Sequence, residues 1–188
     1  MKVRGLLLLL IMSMSSLTLM AQAAPAVQSG QAQAAPDLAT VLNRQLSNLE
    51  NELVPASDAM PEEKFSFQTT KETMSFARQV RHAAATNYHY CSGILGEKPP
   101  VDLGPDGEGP ELKTKAELMK FMKDSFAYAH KAFSTINEKN ATELVGQQQR
   151  ATRLGLAIAT ISHGSSHYGQ IVQYLRMSNV VPPASRPT

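Results

Sequence analysis

The run His163-Gly164-Ser165-Ser166-His167-Tyr168-Gly169-Gln170-Ile171, followed by Tyr174-Leu175-Arg176-Met177, lies near the end of the 188-residue chain. Leu154, Ile158, Ile161, Ile171 and Leu175 recur around it at helical spacing, so the segment reads as a helix. Two histidines four apart then share one face of that helix, about 6 Å from each other. Both rings can grip one divalent metal at that spacing. The same spacing is also common among histidines that bind nothing. Two exclusions narrow the chemistry. Gly164, not a glutamate, follows His163, so the H-E-x-x-H of zinc proteases and its built-in general base are absent. The run from Gly164 to Tyr168 lacks the closing glycine of a nucleophile elbow. Ser165 and Ser166 are therefore read as small residues that leave room.

Upstream, three more segments carry helical periodicity. The first runs over residues 37–53, with Asp37 as N-cap and Leu38, Val41, Leu42, Leu46, Leu49 and Leu53 as its apolar stripe. Pro55 and Pro61 bracket the turn after it. The second spans residues 71–95 with Met74, Ala77, Val80, Ala84, Tyr88, Cys91 and Leu95, and Gly96 stands where a C-terminal cap belongs. A loop rich in proline and glycine follows over residues 97–110. Asp102, Asp106 and Glu108 lie in it, but not in the order a calcium loop requires, so it reads as an ordinary surface loop. The third helix opens with a capping box from Thr114 to Glu117 and extends to about residue 137. The fourth begins near residue 142 or 150 and ends at Met177, before Ser178-Asn179 and Pro182-Pro183. No strand pattern and no internal repeat is evident. Four amphipathic helices with one longer crossover loop predict an all-α four-helix bundle.

The first residues read as an export signal. Lys2 and Arg4 precede an apolar run over residues 6–12, extended by Leu17, Leu19 and Met20, and Ala21-Gln22-Ala23 fits a cleavage site. The run is too short and too interrupted by serine for a membrane anchor. The expected organisation is a signal peptide at 1–23, a flexible leader at 24–36, the bundle at 37–183 and a tail at 184–188. Cleavage leaves about 165 residues, enough for one domain with a core. The chain has 18 Lys plus Arg against 16 Asp plus Glu, and Lys2 and Arg4 account for the excess. The remainder is neutral, which gives no electrostatic case for nucleic acid or for anionic membranes. Cys91 is the only cysteine, so no internal disulfide forms, and its apolar neighbours predict a buried, inert thiol.

The segment 162–171, with Tyr174-Leu175-Arg176-Met177 and Val180-Val181-Pro182-Pro183, resembles the C-terminal signature of the DinB-like (YfiT-like) family. The stretch Phe76-Ala77-Arg78-Gln79-Val80-Arg81-His82-Ala83-Ala84 resembles that family's second-helix motif. The resemblance covers about residues 38–183. It implies a four-helix bundle, often a homodimer, in which three histidines hold one divalent metal. By position those ligands are His82, His163 and His167. Periodicity alone does not find His82, which falls roughly 170° from the centre of the second helix's apolar stripe at 100° per residue. A site on the flank of the bundle, or near one end, reconciles the two readings.

Asn87 and Gln170 are candidate acceptors for the outer nitrogen of a ligating imidazole. His89 sits two turns from His82, about 10 Å along the axis, too far to share an ion easily. It reads as a surface residue, and His130 as structural or surface. Three neutral imidazoles leave the metal its full charge and an open position. Zinc or nickel suits such a site best, and iron(II) or manganese is compatible. Two functions follow. One is a metal-dependent hydrolase or transferase of unknown substrate, exported to the periplasm or secreted. The family's thiol-dependent transferases use small cytosolic thiols, which export would deny this chain, and no general base is evident for hydrolysis. The other is a non-catalytic metal-binding or stress-related protein of the cell envelope. A cleft lined by groups beyond the ligands would favour the first.

Overall fold

The computed structural model describes residues 35–146 and 149–187. The expected signal peptide and residues 24–34 of the expected leader lie outside them. Four helices dominate: α1 (Leu38–Asp58), α2 (Phe76–Leu95), α3 (Lys115–Phe133) and α4 (Arg153–Met177). α1 and α2 each pack against both α3 and α4. The helices therefore stand round the core in the order α1, α3, α2, α4, with α1 and α2 at opposite corners. This is the expected all-α four-helix bundle. No helix among the described residues is long and apolar enough to cross a membrane.

Each helix starts at a side-chain cap. Asp37 accepts the Thr40 N–H at 2.7 Å, and Thr114 and Glu117 form the reciprocal capping box, as their types and spacing predict. α2 begins five residues later than its periodicity implies. Ser75 caps it, and Thr70 and Thr73 close a turn on each other just before, which removes residues 71–75 from the helix. α1 runs on through Pro55 instead of stopping at it. The burial of Ala56, Ser57 and Met60 holds that last turn against the core, and packing outweighs the lost hydrogen bond so near a helix end. α3 ends at Phe133, although Ile136 beyond it is buried.

Between α3 and α4 lies a hairpin of two-residue strands that periodicity does not reveal. β1 (Leu144–Val145) pairs antiparallel with β2 (Ala151–Thr152), too short for alternation to register. Thr152 then caps α4 through the Gly155 N–H. Beyond α4, a helical turn at Pro183–Ser185 packs against α1, so part of the expected tail belongs to the bundle.

The core is aromatic and aliphatic, with Phe76, Phe126, Phe133, Leu46, Leu53 and Met122 all fully buried. Gly164 sets the approach of α4 to α1. A Cβ there would lie 2.5 Å from a methyl of the buried Leu49.

The loop between α2 and α3 is more than a surface connection. Glu108 is 5% exposed and is clamped by two arginines of α2. Arg78 reaches it at 2.6 Å and Arg81 at 2.9 Å. The Arg78 hydrogen bonds, with one from Arg81, hold its carboxyl down at about 2 against the opposing effect of burial. The loop is an ion-paired strap across the start of α2, because a carboxylate at that depth requires partners.

Candidate metal centre

His82 comes from α2 and His163 and His167 from α4. The two helices run side by side, and the three rings meet where their flanks touch. Ring centroids lie 5.3 Å apart for His82 and His163, 5.1 Å for His82 and His167, and 4.3 Å for His163 and His167. One ring nitrogen from each falls within 4.8 Å of the others. His82 and His163 are half-buried and His167 is buried. The flank location explains why His82 lies off the apolar stripe of its own helix: it faces the neighbouring helix at the edge of the core.

The three rings fit a metal. The Nε2 atoms of His163 and His167 are 3.1 Å apart. Two nitrogens each about 2.1 Å from one ion would be separated by about 3.0 Å at a right angle and about 3.4 Å in a tetrahedron. With Nε2 of His163 and His167 turned toward the ion, their Nδ1 atoms would carry the ring protons, and the Nδ1 atoms of all three rings are buried without a partner among the described residues. Burial lowers the pKa of His163, helped by the neighbouring His82. Burial, then His163 and His82, takes His167 down to about 4. Neutral imidazoles are the form a divalent ion requires.

The candidate acceptors for the outer nitrogens are engaged elsewhere. The buried Asn87 donates to Ser125 at 3.1 Å, because its side of α2 faces α3. Gln170 accepts from Gln79. Neither bonds a histidine. His89 is exposed and borders a separate cavity of about 720 Å³ that Tyr90 also lines. The Tyr90 ring also stands edge-on to His163, with centroids 6.2 Å apart. His130 ties α3 to α1, its Nδ1 2.7 Å from Asn43 Oδ1 and its Nε2 3.1 Å from Glu50. Cys91 is fully buried beside Thr160, as its neighbours predict. Ser165 and Ser166 are exposed. The close packing of α4 is the work of Gly164, not of the serines.

A cavity of about 490 Å³ opens beside His167. Gln79, Gln170, Gln173 and Tyr174 line it, with Met74 and two threonines from the turn before α2. Gln79 precedes His82 by three residues and Gln170 follows His167 by three, so on these locally antiparallel helices the amides meet one turn from the rings. Gln79 is 3% exposed. Periodicity did not single it out, although the three-residue step from His82 already puts both on one face.

A sequence model of the DinB superfamily matches residues 45–171, a range that includes all three histidines. The chain is similar in structure to a DinB-like protein from Bacillus cereus ATCC 10987, with a TM-score of 0.64. The two share 14% identity over 76% of this chain and 93% of that chain, a likeness of fold. No curated protein matches.

Proposed function

Because the chain belongs to the DinB superfamily, we propose that it binds one divalent metal through His82, His163 and His167 and acts as a metal-dependent enzyme of group transfer or hydrolysis. The observation that carries this reading is the convergence of three imidazoles, one of which, His167, lines a cavity large enough for a small substrate. A site built only to store an ion has no use for that space. Bound there, a zinc- or nickel-like ion would supply Lewis acidity at an open coordination position.

The chain's own groups set the rest. Gln79, Gln170 and Tyr174 line the place where the substrate would lie. No aspartate, glutamate or lysine lines the cavity, so no charged side chain is at hand as general base. That absence favours transfer to a nucleophile activated at the ion over base-assisted hydrolysis. It is also the one observation that favours the second reading, a metal-binding envelope protein without catalysis. Export to the periplasm or beyond rests on Lys2, Arg4, the apolar run and Ala21-Gln22-Ala23.

Metal content decides the ligation. The purified protein should carry about one ion per chain, as one three-histidine site implies. His82→Ala and His163→Ala should each abolish it. Unchanged stoichiometry in both variants would sink the site. A screen of the metal-loaded protein with acyl, thiol and ester substrates then separates enzyme from binding protein.

A further inference from the structure

The cavity beside His167 has a mostly apolar accessible lining, with several polar side chains and no charged one. Its lining holds three glutamines, two threonines, a tyrosine and a methionine in addition to the histidine, and no Asp, Glu, Lys or Arg. Several of these groups are already committed. The Tyr174 hydroxyl donates to the Met74 carbonyl at 2.6 Å, and Thr73 Oγ1 donates to the Thr70 carbonyl at 2.8 Å. The Gln79 and Gln170 amides spend one half each on their mutual hydrogen bond. A primary amide has both donor and acceptor ends. The pair therefore has one C=O and one NH₂ to offer a ligand, and reversing both amides leaves the same inventory. Gln79 is anchored in the core, so its amide is a fixed wall and not a mobile surface group.

We infer that this cavity takes a ligand whose end remote from the histidines is an uncharged carboxamide or peptide unit, paired donor to acceptor with Gln79 and Gln170. A carboxylate or phosphate there would find one donor, one facing acceptor and no cationic side chain in the lining, whereas a carboxamide satisfies both amide groups. The inference depends on the proposed metal reading only for what happens at the ligand's other end, against the histidines.

The test follows the side-chain amide resonances of Gln79 and Gln170 in the isotope-labelled, metal-loaded protein. N-acetylalaninamide is titrated first and N-acetylalaninate second, and Gln170→Ala, a change at an exposed position, assigns the signals. Saturable shifts of both amides with the carboxamide are expected, with binding at least about tenfold weaker for the carboxylate at those same resonances. In Gln170→Ala the preference for the carboxamide should disappear. Equal or tighter binding of the carboxylate at these resonances overturns the inference, as does the absence of any shift with the carboxamide. Metal content is measured on the same sample. One ion per chain with no amide response refutes the cavity inference alone. An amide response in a protein that binds no metal upholds it and refutes the metal reading.

Discussion

Gly164 illustrates how one missing methyl can hold a site in place. It lies between the two α4 histidines in sequence and points at α1, where a Cβ would come within 2.5 Å of Leu49. Leu49 is buried, so its methyl can give way only by repacking against the core around it. Alanine would gain about 1 kcal/mol of helix propensity. Overpacking a core contact costs about 1–3 kcal/mol, so Gly164→Ala should be net destabilising by about 1 kcal/mol, read as a lower urea midpoint at unchanged slope. Gly164→Val, larger still, should cost more. Cys91 gives a second prediction. Burial pushes its thiol up to about 12 against a smaller opposing effect from Thr160. Thiolate is the reactive form, so a disulfide reagent should leave Cys91 untouched in the folded protein and titrate one thiol per chain after denaturation. The chain's one cysteine could be read as inert from its neighbours. The role of Gly164 could not, because a close approach between α1 and α4 is a property of two helices and appears in neither alone.

Among the elements, the loop between α2 and α3 is where local reading falls short. Its prolines and glycines mark it as a loop, and its acidic residues look solvated. Glu108 is instead drawn inward to Arg78 and Arg81, thirty and twenty-seven residues away in sequence, and no short-range pattern encodes such a pairing. Its carboxyl sits at about 2 in the fold against an ordinary 4.5. A depressed carboxylate stabilises the fold above its unfolded value and loses that contribution as pH falls through the folded one. Stability should therefore drop between about pH 4.5 and pH 2 on this account. Arg78 is half exposed, which weakens its share through solvent screening. Glu108→Gln should cost about 2 kcal/mol at neutral pH and flatten the urea midpoint across the acid window. A variant with the wild-type acid slope would mean that the strap contributes nothing. The hairpin before α4 and the start of α2 at Ser75 escaped periodicity for a related reason. Two-residue strands are too short to alternate, and a capping serine overrides an apolar stripe that continues past it.

At the scale of the whole molecule, four stripes of helical spacing were enough to predict the bundle, because each helix must bury its apolar face against others. The histidine cluster was legible only in part. His163 and His167 share a helix face by spacing alone, whereas His82 looked solvent-facing because periodicity reports a helix against an average core and not against one particular neighbour. That neighbour is α4, and the consequence is mechanical. An ion held by His82, His163 and His167 would join α2 to α4, two helices otherwise linked beside the histidines by side-chain packing and the Gln79–Gln170 hydrogen bond. The ligand set exists only in the folded chain, so binding free energy adds to folding free energy. At free metal one hundred times its dissociation constant, the gain is about 2.7 kcal/mol. The metal-loaded protein should therefore unfold at higher urea than the same protein after chelation. Re-addition of zinc or nickel should restore the midpoint. In His82→Ala, which leaves α4 intact, chelator and metal should both leave the midpoint unmoved. If chelation leaves wild-type stability unchanged while metal analysis finds one bound ion, the ion sits at a site that does not bridge the helices, and the three-histidine assignment fails with it.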